Sequence, residues 1–204
     1  MEAISMIIFE VILALILIGA FVHFQLTKRK NIYQTSLLAQ HMNSNEEMKK
    51  TLAMGLYMRF KTESEENTPN YSSTYIKQDP HMFEDFVANV FEKAKGGSTW
   101  VSPSSGDFGV DFEHRIEEGL FLGQVKCYQN NVGFDPIALI HSNMVKKGAK
   151  GGYVITASSF TTAAREYAEG LDIELIDGVN LVELWLSSLI NAEQEIKKLL
   201  PEHI

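Results

Sequence analysis

The sequence predicts an α/β fold, a mixed β-sheet flanked by helices and preceded by one N-terminal transmembrane helix. Three observations carry this. Ile4–Val22 is an apolar run with a single charge, Glu10, and about 20 apolar residues cross the hydrocarbon core of a bilayer. Further along, two strand-like segments joined by a tight turn are followed by alternating helix-period and strand-period segments, the order of a mixed sheet with helices packed against it. Within that order the segment LFLGQVKC, Leu120–Cys127, is apolar on both of its faces, as a central strand covered on two sides must be.

The elements follow in order. Lys28, Arg29 and Lys30 lie after the apolar run and only Met1, Glu2 and Ala3 lie before it. The positive-inside rule therefore puts the N-terminus outside and the rest of the chain in the cytoplasm. A cleaved signal peptide would carry its positive charge ahead of the apolar core. Residues 1–30 thus read as a single-pass anchor with a basic flank, and residues 31–78 as a juxtamembrane helix and a polar linker. Ser44 and Glu47 have capping-box spacing, and Met48, Leu52 and Leu56 recur at i+4, which predicts a short amphipathic helix over Asn45–Lys61. That helix reads as a solvated spacer, with dimerisation or lying on the bilayer as alternatives. Thr62–Tyr75 is acidic and rich in Ser and Asn with no apolar period, the composition of a linker.

A compact domain is expected over 79–204. Asp79-Pro80 is an N-cap followed by proline at the first helical position. Phe83, Phe86, Val87, Val90, Phe91 and Ala94 fall on one helical face, and Gly96-Gly97 closes the helix. Val110–Ile116 and Leu120–Cys127 read as a hairpin turning at Glu117-Glu118-Gly119. A helix over Pro136–Lys147 ends at Gly148, Tyr153–Thr156 is a short strand, Thr161–Glu169 a helix and Ile173–Ile176 a strand. Leu181–Leu200 supplies one or two final helices.

Composition removes several function classes. The lone cysteine, Cys127, allows no internal disulfide or CxxC zinc site, and an unpaired cysteine suits a reducing compartment. HExxH, GxxxxGK[ST] and GxSxG are all absent. The net charge of −8 argues against a surface coated for bulk nucleic-acid binding.

What remains is a local constellation. Gln124 and Lys126 are two apart in one strand, so their side chains share a face. Asp111, in GDFGVDF, lies on the partner strand of the hairpin, at the end that meets Lys126. An acid, an amide carbonyl and a lysine then converge at one edge of the sheet. Phosphodiester hydrolysis needs that set: acid and carbonyl hold a divalent cation, and the lysine stabilises developing charge. The same spacing also suits a half-solvated strand in which Asp111, Glu113 and Arg115 face water and Lys126 guards an edge. Spacing alone leaves both readings open.

Taken in order, GDFGVDF and QVK resemble the catalytic core of the Mrr-type restriction endonuclease family, a branch of the PD-(D/E)xK nucleases in which glutamine replaces the second acid. MFEDFVANVF resembles the leading helix of that family, and GGYVITASSFTTAAREYAEGLDIELIDGVNLVEL the segments after the core. The resemblance covers Asp79 to Trp185 and implies a restriction-endonuclease-like fold. It implies that Asp111 binds metal, that Gln124 adds a ligand through its side-chain oxygen, and that Lys126 orients or activates water. Glu84, on the leading helix, becomes a further carboxylate near the metal. Ser158 and Ser159, ahead of a helix N-terminus, and Lys146 and Lys147 are candidate phosphate contacts, although capping and a solvated helix end account for these positions as well.

The resemblance further implies Mg²⁺, with Mn²⁺ as a substitute, and DNA as substrate. The expected activity is an endonuclease restricting foreign or modified DNA, with the membrane and a second copy of the chain as partners. The chain departs from the family at Cys127, where many relatives carry a basic residue, and no recognisable winged helix accompanies the core. From Asp79 onward acids outnumber bases by nearly two to one. A catalytically silent nuclease-fold binding module and a membrane scaffold are the competing readings.

Overall fold

The computed structural model describes residues 2–61, 81–103 and 108–198. The expected linker, the Asp79-Pro80 cap and Asp107 lie outside the described residues. Eleven elements follow one another: α1 (Glu2–Asn43), α2 (Glu46–Phe60), α3 (His81–Lys95), β1 (Ser98–Val101), β2 (Phe112–Ile116), β3 (Gly119–Lys126), α4 (Asp135–Lys147), β4 (Gly151–Thr156), α5 (Thr162–Ala168), β5 (Ile173–Ile176) and α6 (Gly178–Lys198). The five strands form one sheet in the order β1-β2-β3-β4-β5. β1, β2 and β3 are antiparallel neighbours, while β3 to β4 and β4 to β5 are parallel. Each parallel step needs a crossover helix, and α4 and α5 supply them. The sheet is therefore mixed, with β3 at its centre, as its two apolar faces require.

Each face of the sheet has its own core. On one side Phe83, Val87 and Phe91 of α3 and Leu181, Val182 and Leu186 of α6 pack over Phe112, Val125, Tyr153 and Ile155. On the other, Ile137, Ile140 and Met144 of α4 and Ala164 of α5 cover Val110, Leu122 and Val154. Alternation along β3 sends Val125 to the first core and Leu122 to the second. Gly123 between them has no room for a side chain, because a Cβ there would stand 2.1 Å from the Phe112 ring.

Several expectations change. The apolar helix does not end near the basic cluster: α1 continues through Asn43. The cap of α2 is Asn45, whose Oδ1 accepts from the Met48 amide at 3.1 Å, whereas Ser44 Oγ turns back and donates to the His41 carbonyl. α2 is not a solvated spacer. Its Ala53, Leu56 and Phe60, with Ala39 of α1, are buried in the α3/α6 core. Lys49 is buried as well, paired with Glu46 at 2.5 Å and with Glu183 of α6, so the apolar stripe of α2 is spent on the sheet domain. The hairpin strand expected from Val110 begins at Phe112, and β1 was not foreseen.

Candidate active site

The site is built where β2 and β3 begin to part. Asp111 sits one residue before β2, yet its backbone still belongs to the sheet. Its amide donates to the Gly123 carbonyl and its carbonyl accepts from the Ser102 amide, both at 2.8 Å. These bonds aim the carboxylate along β3. Asp111 Oδ2 accepts from the Val125 amide at 2.6 Å and lies 4.0 Å from Lys126 Nζ. Val125 is flanked by Gln124 and Lys126, so the backbone bond seats the acid between the two predicted side chains. Asp111 is buried and Lys126 three-quarters buried, which strengthens their mutual field relative to water.

Gln124 is 3 % exposed, and its Oε1 is a buried acceptor with no hydrogen-bond partner among the described residues. A buried, unsatisfied amide oxygen costs about 1–3 kcal/mol unless something binds it. A divalent cation is such a partner. Oxygen donors from a carboxylate and an amide suit a hard cation that keeps water in its remaining positions. Among the described residues no three His, Cys, Asp or Glu side chains cluster into a metal cage. The donors that fit are Asp111 and Gln124; Glu84 lies near enough for the charge of Asp111 to act on it, without forming a ready-made three-ligand cluster.

Glu84 comes from the first turn of α3, and the charges of Asp111 and Lys126 both act on it. Burial pushes its carboxyl above the usual range. A hydrogen bond from His81 opposes that shift and the negative charge of Asp111 adds to it. His81 Nδ1 is 2.9 Å from Glu84 Oε2. His81 was missed in the sequence, although its i,i+3 spacing to Glu84 is visible there. Because the folded protein holds this proton above the ordinary glutamate pKa, stability falls as pH rises through the interval between that value and the raised one. Glu84→Gln in the metal-free protein is expected to remove this loss, giving a higher Tm than wild type at pH 7.5 and the same Tm at pH 4. A wild-type-like Tm at both pH values would contradict the burial of this carboxylate.

The approach to Asp111 is a tight turn. Phe108 has φ 51° and Gly109 φ 80°, a region that non-glycine residues enter at a cost. A Cβ on Gly109 would stand 2.2 Å from Leu139 and 3.0 Å from Gln124 Nε2, so the turn and the glutamine need glycine here. Gly109→Ala is expected to cost about 1–3 kcal/mol and to weaken metal binding with it. Thermal unfolding and calorimetric metal titration check the two effects together. Phe108 itself is exposed, held by Asn143 Nδ2 donating to its carbonyl at 3.0 Å.

The other predicted positions are placed differently. Lys146 Nζ lies over the Phe108 ring at 4.9 Å, and Lys147 is bound to Glu113 at 2.8 Å, so neither is a bare solvated helix end. The Lys147 hydrogen bond holds the Glu113 carboxyl below its usual range. Thr161 is the cap of α5, accepting from the Ala164 amide. Ser158 Oγ donates to the Asn130 carbonyl, and Ser159 Oγ accepts from Arg165. Both serines follow Thr156, which stands beside Lys126 in the sheet register. Burial pushes the Cys127 thiol up to about 11, so it stays protonated at neutral pH and is no nucleophile.

A mixed five-stranded sheet with an acid, an amide and a lysine at the parting of its central hairpin defines a restriction-endonuclease-like protein. A family model described as restriction endonuclease, Mrr_cat, matches residues 76–185, and the chain belongs to that family. The chain is 26% identical over 132 residues to the type IV methyl-directed restriction enzyme EcoKMrr of Escherichia coli K12, covering 60% of this chain and 43% of the relative. It thus spans less than half the length of that curated relative. The MspJI restriction endonuclease solved with a 27-mer oligonucleotide shares the fold, at 24% identity and TM-score 0.50 over 73% of this chain and 34% of that one. A DNA modification-dependent restriction endonuclease, AspBHI, aligns at 18% identity and TM-score 0.48, covering 72% of this chain and 40% of the other. Among the described residues one helix is long and apolar enough to cross a membrane.

Proposed function

We propose that this protein is a metal-dependent endonuclease that hydrolyses DNA phosphodiester bonds, restricts foreign or modified DNA, and is tethered to a membrane by α1. The observation that carries the reading is the orphaned Gln124 Oε1 beside the Asp111–Lys126 pair. That is an incomplete oxygen-donor set next to a fixed ammonium. Asp111, Gln124 and Glu84 would hold the cation, with Mg²⁺ as the resident ion and Mn²⁺ able to replace it. When bound, such an ion polarises the scissile phosphate and acidifies water. Lys126 orients the attacking water and offsets charge building on the phosphate, while Asp111 keeps its ammonium in place. Ser158, Ser159, Lys146 and Lys147 are assigned to backbone phosphates. The acidic domain makes binding dependent on these few cations and on the metal. A second copy of the chain would supply the cut in the opposite strand. Preference for modified DNA is supported by the methyl-directed activity named for the E. coli relative.

Tethering rests on the exposed apolar surface of α1, where side chains from Phe9 to Phe24 have no protein partner large enough to cover them. The following Lys28, Arg29 and Lys30 orient the catalytic domain to the cytoplasm.

The test uses the full chain in detergent with unmodified and methylated plasmid, comparing Mg²⁺, Mn²⁺ and EDTA, alongside calorimetric titration of the metal. Metal-dependent nicking or cutting is expected, with metal binding lost in Asp111→Asn. A folded protein that binds DNA but neither binds the cation nor cuts would instead be a silent binding module.

A further inference from the structure

We propose that the crevice between α2 and the chain just after Lys126 is a subsite for a DNA nucleotide flanking the scissile phosphate. The juxtamembrane helix would thereby form one wall of the substrate-binding surface. This deepens the nuclease reading and rests on it. Tyr57 and Lys61 from the end of α2 face Tyr128, Gln129, Asn130 and Asn131 across a cavity of about 420 Å³. A second cavity of about 190 Å³ adjoins it, sharing Tyr57, Tyr128 and Gln129 and reaching Ser158.

Position and chemistry both point to a nucleotide. The crevice opens at the carboxyl ends of the parallel strands β3 and β4, where ligands of open α/β sheets bind. It begins at the residue after Lys126, so it lies at the same end of β3 as the proposed catalytic lysine. Its lining combines two phenol rings, three side-chain amides and an ammonium. Aromatic faces stack on bases, amides read base edges, and a lysine pairs with phosphate. Tyr128 is 55 % exposed and lines both cavities, so a large aromatic stands accessible at the mouth. The inner side is fixed. Cys127 Sγ contacts the Tyr57 carbonyl at 3.9 Å, and Phe60, one residue before Lys61, is locked between Phe83 and Phe86 of α3. The end of α2 that carries Tyr57 is thus packed against the helix that carries Glu84.

The experiment measures duplex affinity by fluorescence anisotropy with the full chain in detergent, in a Lys126→Ala background that retains the DNA, over a range of salt. Tyr128→Ala is expected to raise Kd about tenfold or more, and Tyr128→Phe to leave it within twofold. Lys61→Ala is expected to weaken binding and to lower the salt slope by about one. Tm should stay at the parent value for all three, since both residues lie at a surface. Unchanged Kd and salt slope in both Tyr128→Ala and Lys61→Ala overturn the subsite while leaving the nuclease reading intact. Failure of the parent to bind DNA at all, with no cleavage by wild type, overturns the nuclease reading itself.

Discussion

Asp111→Asn and Lys126→Ala are each expected to lower single-turnover DNA cleavage by about 10²–10³-fold, the loss typical of removing one preorganised electrostatic partner of a transition state. The two variants should separate by what else they lose. Asp111 accepts the Val125 amide at 2.6 Å inside the sheet, so an alanine there strands a buried donor at about 1–3 kcal/mol and confounds chemistry with folding. Asparagine keeps an acceptor but removes the charge, so metal affinity should vanish while Tm moves little. Lys126→Ala removes no oxygen donor. It should retain metal binding, measured by calorimetry, and lose only the rate. Cleavage surviving both substitutions would place the chemistry elsewhere in the chain. Loss of metal binding in Lys126→Ala would assign the lysine to building the site and not to stabilising developing charge.

Phe60→Ala is expected to have the largest effect on stability, about 3–5 kcal/mol for a buried aromatic truncated in a packed core. In a chain of this size that is a fall in Tm of about 10 °C. The ring lies 5.0 Å from Phe83 and 5.4 Å from Phe86, and Phe86 continues the cluster to Trp185 of α6 at 5.6 Å. Glu84 lies between Phe83 and Phe86 in sequence, so the cavity opens beneath the turn that presents it. Cleavage should therefore fall with stability, although Phe60 is no part of the chemistry. Unfolding followed by circular dichroism is the measurement. A Tm within a degree of wild type would show that α2 contributes nothing to the core. By the same argument a fragment starting at Tyr75 loses Ala53, Leu56 and Phe60 together and should be markedly less stable than the full chain.

The strands that carry the site were legible because their side chains announce two periods at once. Leu120–Cys127 is apolar on both faces, which only a central strand tolerates, and the two polar insertions then stand out on one face. The placement of Asp111 against Lys126 followed from hairpin register, a local property. The packing of α2 was not legible. An i, i+4 apolar stripe says that a helix covers something, and the surface it covers lies partly on α3 and partly, more than a hundred residues away, on α6. The same distance hid the buried Lys49, whose partner Glu183 reads in sequence as one more surface acid. β1 escaped because four residues, even with Thr99, Trp100 and Val101 strand-forming, are too few to carry a pattern, and its place is set by pairing with β2. His81 was visible beside Glu84, but a histidine in a first helical turn has many ordinary uses. Only the convergence of Glu84, Asp111 and Lys126 gives it meaning.

The unbroken course of α1 has a consequence for reach. Its 42 residues make a rod about 63 Å long at 1.5 Å per residue, and Ala39 near its far end is built into the same core as α3. Were Ile4–Val22 to lie in a bilayer, as proposed above, it would take about 30 Å of that rod, and the remainder would hold the sheet domain on a stiff mast and not on a leash. The proposed nuclease would then act only within a thin layer beside the membrane, at a stand-off set by the helix.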